Sequence, residues 1–445
     1  MRKRIWSAIL ALSMLLTLAP AASAANSLTI DLTNGSITVS ESNGIMTVVQ
    51  GDSTSTCTGL FVTGGTIDEP TANTISVTGG NVALTIKDVY IQATDNTSPI
   101  SVSDGSLALT LGGISRNVLD ASTSKGNASK AGISLASGTS LTIDDGGYAY
   151  LIVNGGEWAA AIGGDMGRSG GNITINGGTI EANGGTYGAG IGGGYSGVTP
   201  AEDLVAGSGG TITINGGEIQ AVSSAGAGIG GGRYGNGGTV TINGGTVRAA
   251  SAYGAGIGGG QNGYGGYVKI GADVKSVTAE GYCTAIGGGK SGNEYGCTDL
   301  IIEDFSKVET AVTLEVSTPF EERFYNNILH NGMTETNTGY GWEYGELRFL
   351  ARSGKSGYIS DETCTWLWQW SADGETDWTE VEYSDYFSID KKPDGNKYYR
   401  CIITNEFGNS IISPVGQILP LEITSQPQDA VAEQGETATF SVETN

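Results

Sequence analysis

Counted back from a recurring Ile-Gly-Gly, the chain places aromatic residues at one position again and again. Ile162, Ile191, Ile229, Ile257 and Ile286 each precede two glycines, and four residues before them stand Trp158, Tyr187, Ala225, Tyr253 and Tyr282. If each copy is one turn of a stacked structure, these rings line one edge, and a sugar ring packs its C–H groups on an aromatic face. The segments after the glycines add Tyr195, Arg233, Tyr234, Gln261, Tyr264, Lys290 and Tyr295, which mixes planar and hydrogen-bonding groups on the same edge. The candidate ligand-binding set is therefore Trp158, Tyr187, Tyr195, Arg233, Tyr234, Tyr253, Tyr264 and Tyr282, with a polysaccharide as the ligand. The same column also reads as an aromatic ladder that merely stiffens the stack, and spacing alone does not separate the two.

Other chemistries find fewer residues. Between 151 and 272 the acids are Glu157, Asp165, Glu181, Glu202, Asp203 and Glu218. A glycosidase needs two carboxylates facing one bond at a set separation; Glu181 and Glu218 are the pair that adjacent turns would align, and isolated glutamates on an outward strand are ordinarily solvated surface. Asp144 and Asp145 are neighbours in a strand and face opposite ways. The single histidine, His330, lies outside the repeats, so the repeats hold no His-based acid, base or metal ligand. Calcium-binding nonapeptide repeats require a regularly placed Asp, which is missing, and the acidic segment SADGETDW (371–378) reads as a turn between strands. GAGIGGG imitates a dinucleotide fingerprint, but no helical pattern follows any copy. The expectation is a protein that is not an enzyme and uses no cofactor or metal.

The elements that position these residues are written in the repeats. ITINGGTIEANGGTYGAGIGGG (173–194), ITINGGEIQAVSSAGAGIGGG (212–232) and VTINGGTVRAASAYGAGIGGG (240–260) share one phrase, with looser copies at 151–164 and 268–289. Successive Ile-Gly-Gly isoleucines are 29, 38, 28 and 29 residues apart, a period that marks a stacked array. Each copy fits one coil of a parallel β-helix with three short strands. Ile173, Ile175, Ile180 and Ile191 point inward, Ile175, Ile214, Ile242 and Ile270 form one internal column, and the five Ile-Gly-Gly isoleucines form another, stepped by about 4.8 Å. The NGG corners call for glycine, and Asn154, Asn176, Asn215 and Asn243 are expected at one corner position, where Asn tolerates positive φ and bonds its stacked copies. The long step holds an insert, YSGVTPAEDLVAGS (195–208), expected as a surface loop. Handedness follows the right-handed rule for parallel crossovers.

Length and composition set the frame. The 445 residues include 74 Gly and only 9 Pro without a three-residue period, which excludes collagen, and the 38% hydrophobic content excludes disorder. Arg2, Lys3 and Arg4, an apolar run from Ile5 to Leu18 and Ala22-Ser23-Ala24 form a secretory signal peptide over 1–24. Its removal leaves 19 basic against 46 acidic residues, a net charge of −27, a surface that repels nucleic acid and anionic lipid. Nothing after it resembles a membrane span, so no membrane insertion is expected. Five cysteines in an exported chain admit disulfides; Cys283 and Cys297 could close one loop.

The fold class expected is thus all-β: a solenoid over 25–310, with its Gly-rich repeats at 151–289, followed by a sandwich. Residues 345–417 resemble a bacterial immunoglobulin-like domain, with Trp368 as the buried tryptophan and Tyr399 two residues before Cys401. The expected module spans 311–420, and EITSQPQDAVAEQGETATFSVETN begins a second copy at 421–445, cut short. Phe349 stands at the strand-B position, so the usual inter-sheet disulfide is not expected, although Cys364 could approach Cys401 by another route.

Through NVALTIKDVYIQA, SPISVSDGSLALTLGG, AGISLASGTSLTIDDGG and the GAGIGGG repeats, the first 300 or so residues resemble a family of secreted or wall-attached proteins of Gram-positive bacteria. That family is labelled carbohydrate-binding and often carries immunoglobulin-like modules. The resemblance implies an extracellular binding protein or adhesin with a host or cell-wall glycan as partner, and it names no sugar-binding residue. The rival expectations are a polysaccharide lyase or glycosidase on the same scaffold and a structural spacer.

Overall fold

The computed structural model describes residues 26–94, 96–122, 128–197, 207–282, 285–289, 297–303 and 307–312. Further on it describes 339–343, 346–350, 364–381, 388–389, 397–405, 410–412, 416–418, 423–425 and 443–444. The expected signal peptide at 1–24, Cys283, Lys290, Tyr295, His330 and most of the 195–208 insert lie outside these residues. Among the described residues the helical content is one 3₁₀ turn, Leu32–Asn34, and no helix is long and apolar enough to cross a membrane.

Three ladders of parallel strands run through the first part of the chain, one strand of each per coil. Ser140–Asp145, Asn172–Ile175, Thr211–Ile214, Thr239–Ile242, Gly266–Ile270 and Cys297–Ile302 pair in that order. Arg116–Asp120, Tyr150–Asn154, Thr179–Asn183, Glu218–Ser223, Thr246–Ser251, Ser276–Gly281 and Val308–Val312 form the second ladder. Ile133–Leu135, Ile162–Gly163, Ile191–Gly192, Ile229–Gly230, Ile257–Gln261 and Ile286–Gly289 form the third. This part of the chain is a parallel β-helix.

Period-two sequence patterning explains which side chains fill it. Ile173 and Ile175 are buried while Thr174 between them is half-buried, and the next coils repeat this with Ile212, Ile214 and Val240, Ile242. Ile175, Ile214, Ile242 and Ile270 stand in register, as do Ile162, Ile191, Ile229, Ile257 and Ile286, so both expected columns exist. Each such isoleucine contributes roughly 1.5–3 kcal/mol of burial.

The corners confirm one expectation and revise another. Asn215 Nδ2 donates to Asn176 Oδ1 at 2.8 Å, Asn243 Nδ2 donates to Asn215 Oδ1 at 2.9 Å, and Asn176 Nδ2 donates to Asp144 at 2.8 Å. This is an asparagine ladder grounded on a carboxylate. Asn154 is not part of it. Its strand lies in the second ladder, opposite Thr179–Asn183, and Asn154 accepts from Asn183 at 3.0 Å. The NGG of 154–156 therefore repeats the phrase in the wrong place, and the first-ladder strand of that coil is Ser140–Asp145. Positive φ at the corner falls on glycine, as at Gly178 (φ +94°), and not on the asparagines, whose contribution is the side-chain ladder.

At the N-terminal end the solenoid departs from its repeat. Ile37–Ser42, Ile45–Gln50 and Ser53–Cys57 form an antiparallel ribbon, and Asn43 (φ +54°) and Gly44 (φ +79°) make its first turn in the type I′ sense. Ile37–Ser42 also pairs in parallel with Ile75–Gln92, which joins the ribbon to the stack. Glu41 accepts from Gly44 N and Asn81 N, and these backbone donors, Asn81 first, hold its carboxyl below the usual range.

Antiparallel pairing takes over in the C-terminal part. Gly339–Glu343, Glu346–Leu350 and Ser388–Ile389 form one sheet, and Cys364–Ser371 pairs with Lys397–Asn405 in another. Trp368 is fully buried there. Cys364 stands opposite Asn405 and Cys401 opposite Trp368, four positions apart along the ladder, or about 13 Å. A disulfide spans at most about 7 Å between Cα atoms, so this register rules out the Cys364–Cys401 bridge. The 371–378 segment is the turn expected of it: Asp373 accepts from Glu375 N, Thr376 N, Thr376 Oγ1 and Ser371 Oγ. Those bonds, Thr376 foremost, hold its carboxyl well below the usual carboxylate range.

Candidate functional site

Between the second and third strands of each coil the chain turns sharply and presents the residue four before each Ile-Gly-Gly isoleucine. Backbone bonds stack these turns: Tyr187 N donates to Glu157 O, Ala225 N to Thr186 O, Tyr253 N to Ser224 O and Tyr282 N to Gly254 O. The column Trp158, Tyr187, Ala225, Tyr253, Tyr282 is therefore real, and it lies outside the isoleucine core.

A second column leans on it. The residue four beyond each isoleucine donates its N–H to the carbonyl of the column residue one coil below: Tyr195 to Trp158, Arg233 to Tyr187 and Gln261 to Ala225, at 2.8–2.9 Å. This bond brings the segments after the glycines over the aromatic turns, and it needs close approach. At Gly230 the backbone has φ +135°, and a Cβ would run into the carbonyl of Gly258 in the next coil. Only glycine permits that spacing.

The rings fall into two groups. Trp158 and Tyr187 stack with centroids 4.5 Å apart and planes 23° from parallel, close to the coil spacing itself. Tyr195 packs on both, at 5.0 and 5.6 Å, and on Tyr234 at 5.9 Å. Arg233 covers Tyr187 and Tyr234 with its Cζ at 5.3 and 4.8 Å, and its Nη2 donates to Tyr234 Oη at 3.1 Å. The Arg233 Nε is buried without a hydrogen-bond partner, so the guanidinium is held through its flat face. Tyr253 and Tyr282 form the second group, 5.8 Å apart and tilted by 55°, and Tyr253 is 49% exposed. Ala225, only 4% exposed, separates the groups in the column. Tyr264 is half-buried one turn further on, where its N–H donates to Asn236 Oδ1.

Glu157 adjoins Trp158 in the same turn, and the other paired candidates, Glu181 and Glu218, stand on the second ladder. Glu181 stands opposite Gln220 and Glu218 opposite Thr179, so the two glutamates are offset by two residues and not aligned as expected from their spacing. Glu181 accepts from Tyr150 Oη through one oxygen and from Asn183 Nδ2 through the other, both at 3.0 Å. The bond to Glu181, with burial and nearby carboxylate charge added, raises the Tyr150 phenol. Asp165 is buried; it accepts from Lys130 Nζ at 2.8 Å and Ala131 N at 2.9 Å, in the place where later coils carry the third glycine. It therefore anchors the coil below. Among the described residues no three His, Cys, Asp or Glu side chains come together as a metal site. Cys283 is outside the described residues, so its pairing with Cys297 has no geometry. Cys57 is buried and free, and burial raises its thiol.

Two residues that spacing did not single out project from the first corner, Ile114 and Tyr148. The signal was present: each follows two glycines at the end of a strand, in coils that precede the regular NGG repeats.

Three segments, residues 173–195, 212–233 and 236–261, match the model of the Beta helix repeat family. They take in Asn176, Asn215 and Asn243 of the asparagine ladder and Tyr187, Ala225 and Tyr253 of the column. No curated protein and no solved structure matches the chain.

Proposed function

We propose that this β-helix chain is an exported, non-catalytic adhesin that binds glycan along the edge built on Trp158, Tyr187, Tyr195, Arg233, Tyr234, Tyr253, Tyr264 and Tyr282. The observation that carries the reading is the Tyr253–Tyr282 pair, tilted, with Tyr253 exposed and Tyr282 half-buried, beside a stack whose rings already cover one another. Faces consumed by Trp158–Tyr187 stacking and by Arg233 are unavailable to a ligand, so that group serves as a rigid wall. Tyr253 and Tyr282 are the rings a sugar meets. Backbone ladders fix their positions before binding, which lowers the ordering cost of association.

The N-terminal signal sequence supports export, and the resemblance to wall-attached proteins of Gram-positive bacteria supports a surface location. The buried Trp368 between antiparallel strands supports an immunoglobulin-like module after the solenoid. Pull-down of the full chain on insoluble plant polysaccharides, chitin and bacterial cell wall tests the reading. Binding that falls at least tenfold in a Tyr253→Ala, Tyr282→Ala double variant is the result expected. Release of reducing sugar overturns the non-catalytic part, and retention of the double variant at wild-type level overturns the site.

A further inference from the structure

The first corner of the solenoid carries two large apolar side chains that the fold does not use. Tyr148 is 91% exposed and Ile114 is 84% exposed, more than any other large apolar residue described. They hold the same place in the register. Leu111 pairs with Asp145 and Arg116 with Tyr150, so Gly112-Gly113-Ile114-Ser115 and Gly146-Gly147-Tyr148-Ala149 are corners of equal length on adjacent coils, about 4.8 Å apart. Measured between the paired positions Ile143/Ile175 and Tyr150/Thr179, the next coil has three residues, Asn176-Gly177-Gly178, where this one has six, and it presents no such side chain.

The corner is also built to hold Tyr148 in an unfavourable conformation. Its φ is +59°, where a residue with a Cβ is disfavoured and glycine is not. Asp145 Oδ1 accepts from Gly147 N at 2.9 Å and Ala149 N at 3.4 Å, Gly146 N donates to Leu111 O, and Tyr150 N donates to Ser115 O. Tyr234 also has positive φ (+62°), but its ring packs on Tyr195 and Arg233. The Tyr148 ring is repaid by no packing, so a strained and fixed backbone carries an aromatic face into solvent.

We infer that Tyr148 and Ile114 form a second glycan-binding site, for one pyranose unit of a neutral polysaccharide, at a different corner from the Tyr253–Tyr282 edge. Two side chains are far too little surface for a protein partner or a second copy, which need about 800 Å² from each side. One ring face beside one aliphatic side chain does match the C–H face of a sugar. The rim supplies hydrogen bonds to hydroxyls: exposed Lys87 and Asp88 in the corner below, Asp145 in the same corner and Asn176 in the corner above. Three of the charged groups at this corner, Asp88, Asp144 and Asp145, are acidic on a strongly acidic chain, which selects against an anionic saccharide. The inference extends the glycan-binding reading to a site whose residues are separate from the first, so two contacts on one rigid body would act together on a polymer.

Native affinity electrophoresis of the full chain through gels containing arabinoxylan, mixed-linkage β-glucan or soluble starch tests it, with a carboxylated polysaccharide as the anionic control. In a neutral gel that retards the wild type, Tyr148→Ala and Tyr148→Gly are expected to weaken retardation at least threefold, Ile114→Ala to weaken it less, and Tyr148→Trp to preserve it. Tyr148→Gly should melt at the same temperature as the wild type or higher, because glycine relieves the positive φ. A lower melting temperature for Tyr148→Gly would show a structural role and overturn the site. Undiminished retardation of Tyr148→Ala overturns this site alone, whereas loss in Tyr148→Ala with none in the Tyr253, Tyr282 double variant overturns the first edge alone. No retardation of the wild type in any neutral gel overturns both. A wild-type dimer in sedimentation velocity that Tyr148→Ala abolishes identifies a protein surface and overturns the glycan assignment.

Discussion

Arg233 lies over the ring of Tyr187 with its Cζ 5.3 Å from the centroid, in the coil where the aromatic column has Ala225 in place of a ring. Its backbone N–H donates to the carbonyl of the same Tyr187 at 2.8 Å, so main chain and side chain of one residue bind main chain and side chain of the other. A guanidinium is planar and stacks as a ring does. The stack Trp158–Tyr187 thus continues through a cation borrowed from the neighbouring column, and its exposed end is closed.

This closure predicts a graded response. Arg233→Ala removes the cation–π contact and the packed stem and is expected to cost about 1–2 kcal/mol in urea denaturation. Arg233→Lys keeps the charge without the plane and should recover less than half of that. Equal stability of Arg233→Lys and wild type would show that charge, not stacking, closes the column.

Glycines differ in what they permit, and two of them separate the causes. Gly230 combines φ +135° with a neighbouring carbonyl in the path of any Cβ, so Gly230→Ala is expected to lose roughly 3 kcal/mol or more. Gly113 has φ +61° but open space around it, and Gly113→Ala should lose only about 1 kcal/mol. Urea midpoints of the two variants check this; similar losses would mean that close packing of the coils contributes little.

The asparagine ladder is tested at its centre. Asn215 donates to Asn176 and accepts from Asn243, so Asn215→Ala breaks two bonds, taking the donor from Asn176 Oδ1 and the acceptor from Asn243 Nδ2. The expected cost is about 1–2 kcal/mol by denaturant titration. Asn243→Ala, at the ladder's upper end, should cost about half as much. A larger loss at Asn243 than at Asn215 would contradict the head-to-tail arrangement.

How far these features were legible depends on which physical constraint each residue answers. The inward isoleucines could be read because burial imposes a strict alternation and the period repeats it in every coil. The Asn154 register misled because NGG is a generic corner phrase, and the parallel partner that fixes its ladder, Thr179–Asn183, is identified only by pairing. The antiparallel ribbon at Ile37–Cys57 had its signal in Asn43-Gly44, a turn dipeptide that a search for coils passes over. In the candidate edge, position within the coil could be counted, but the division into a closed stack and a separate tilted pair could not. It follows from where Arg233 swings, and side-chain reach across coils leaves no periodic trace. Tyr148 was hidden for a different reason: its exposure and its positive φ are consequences of a corner three residues longer than the next one.

Acid should loosen the far end of the solenoid. Glu303 follows the strand Cys297–Ile302, where its Oε1 accepts from Lys269 Nζ at 2.8 Å and its Oε2 from Ala272 N at 3.0 Å. These bonds, Lys269 foremost, hold the carboxyl below its ordinary value. A carboxyl lowered in the folded state stabilises it above the unfolded value of about 4.3, and that contribution disappears as pH falls through the lowered value. Glu303→Gln is expected to cost on the order of 1 kcal/mol at pH 6 and to melt with a weaker dependence on acid. The gap between wild type and variant should stay constant from pH 7 to about 5 and narrow steadily below about 4. Urea melts across that range measure it, and a gap that persists undiminished at pH 2 would remove Glu303 from the account of acid sensitivity.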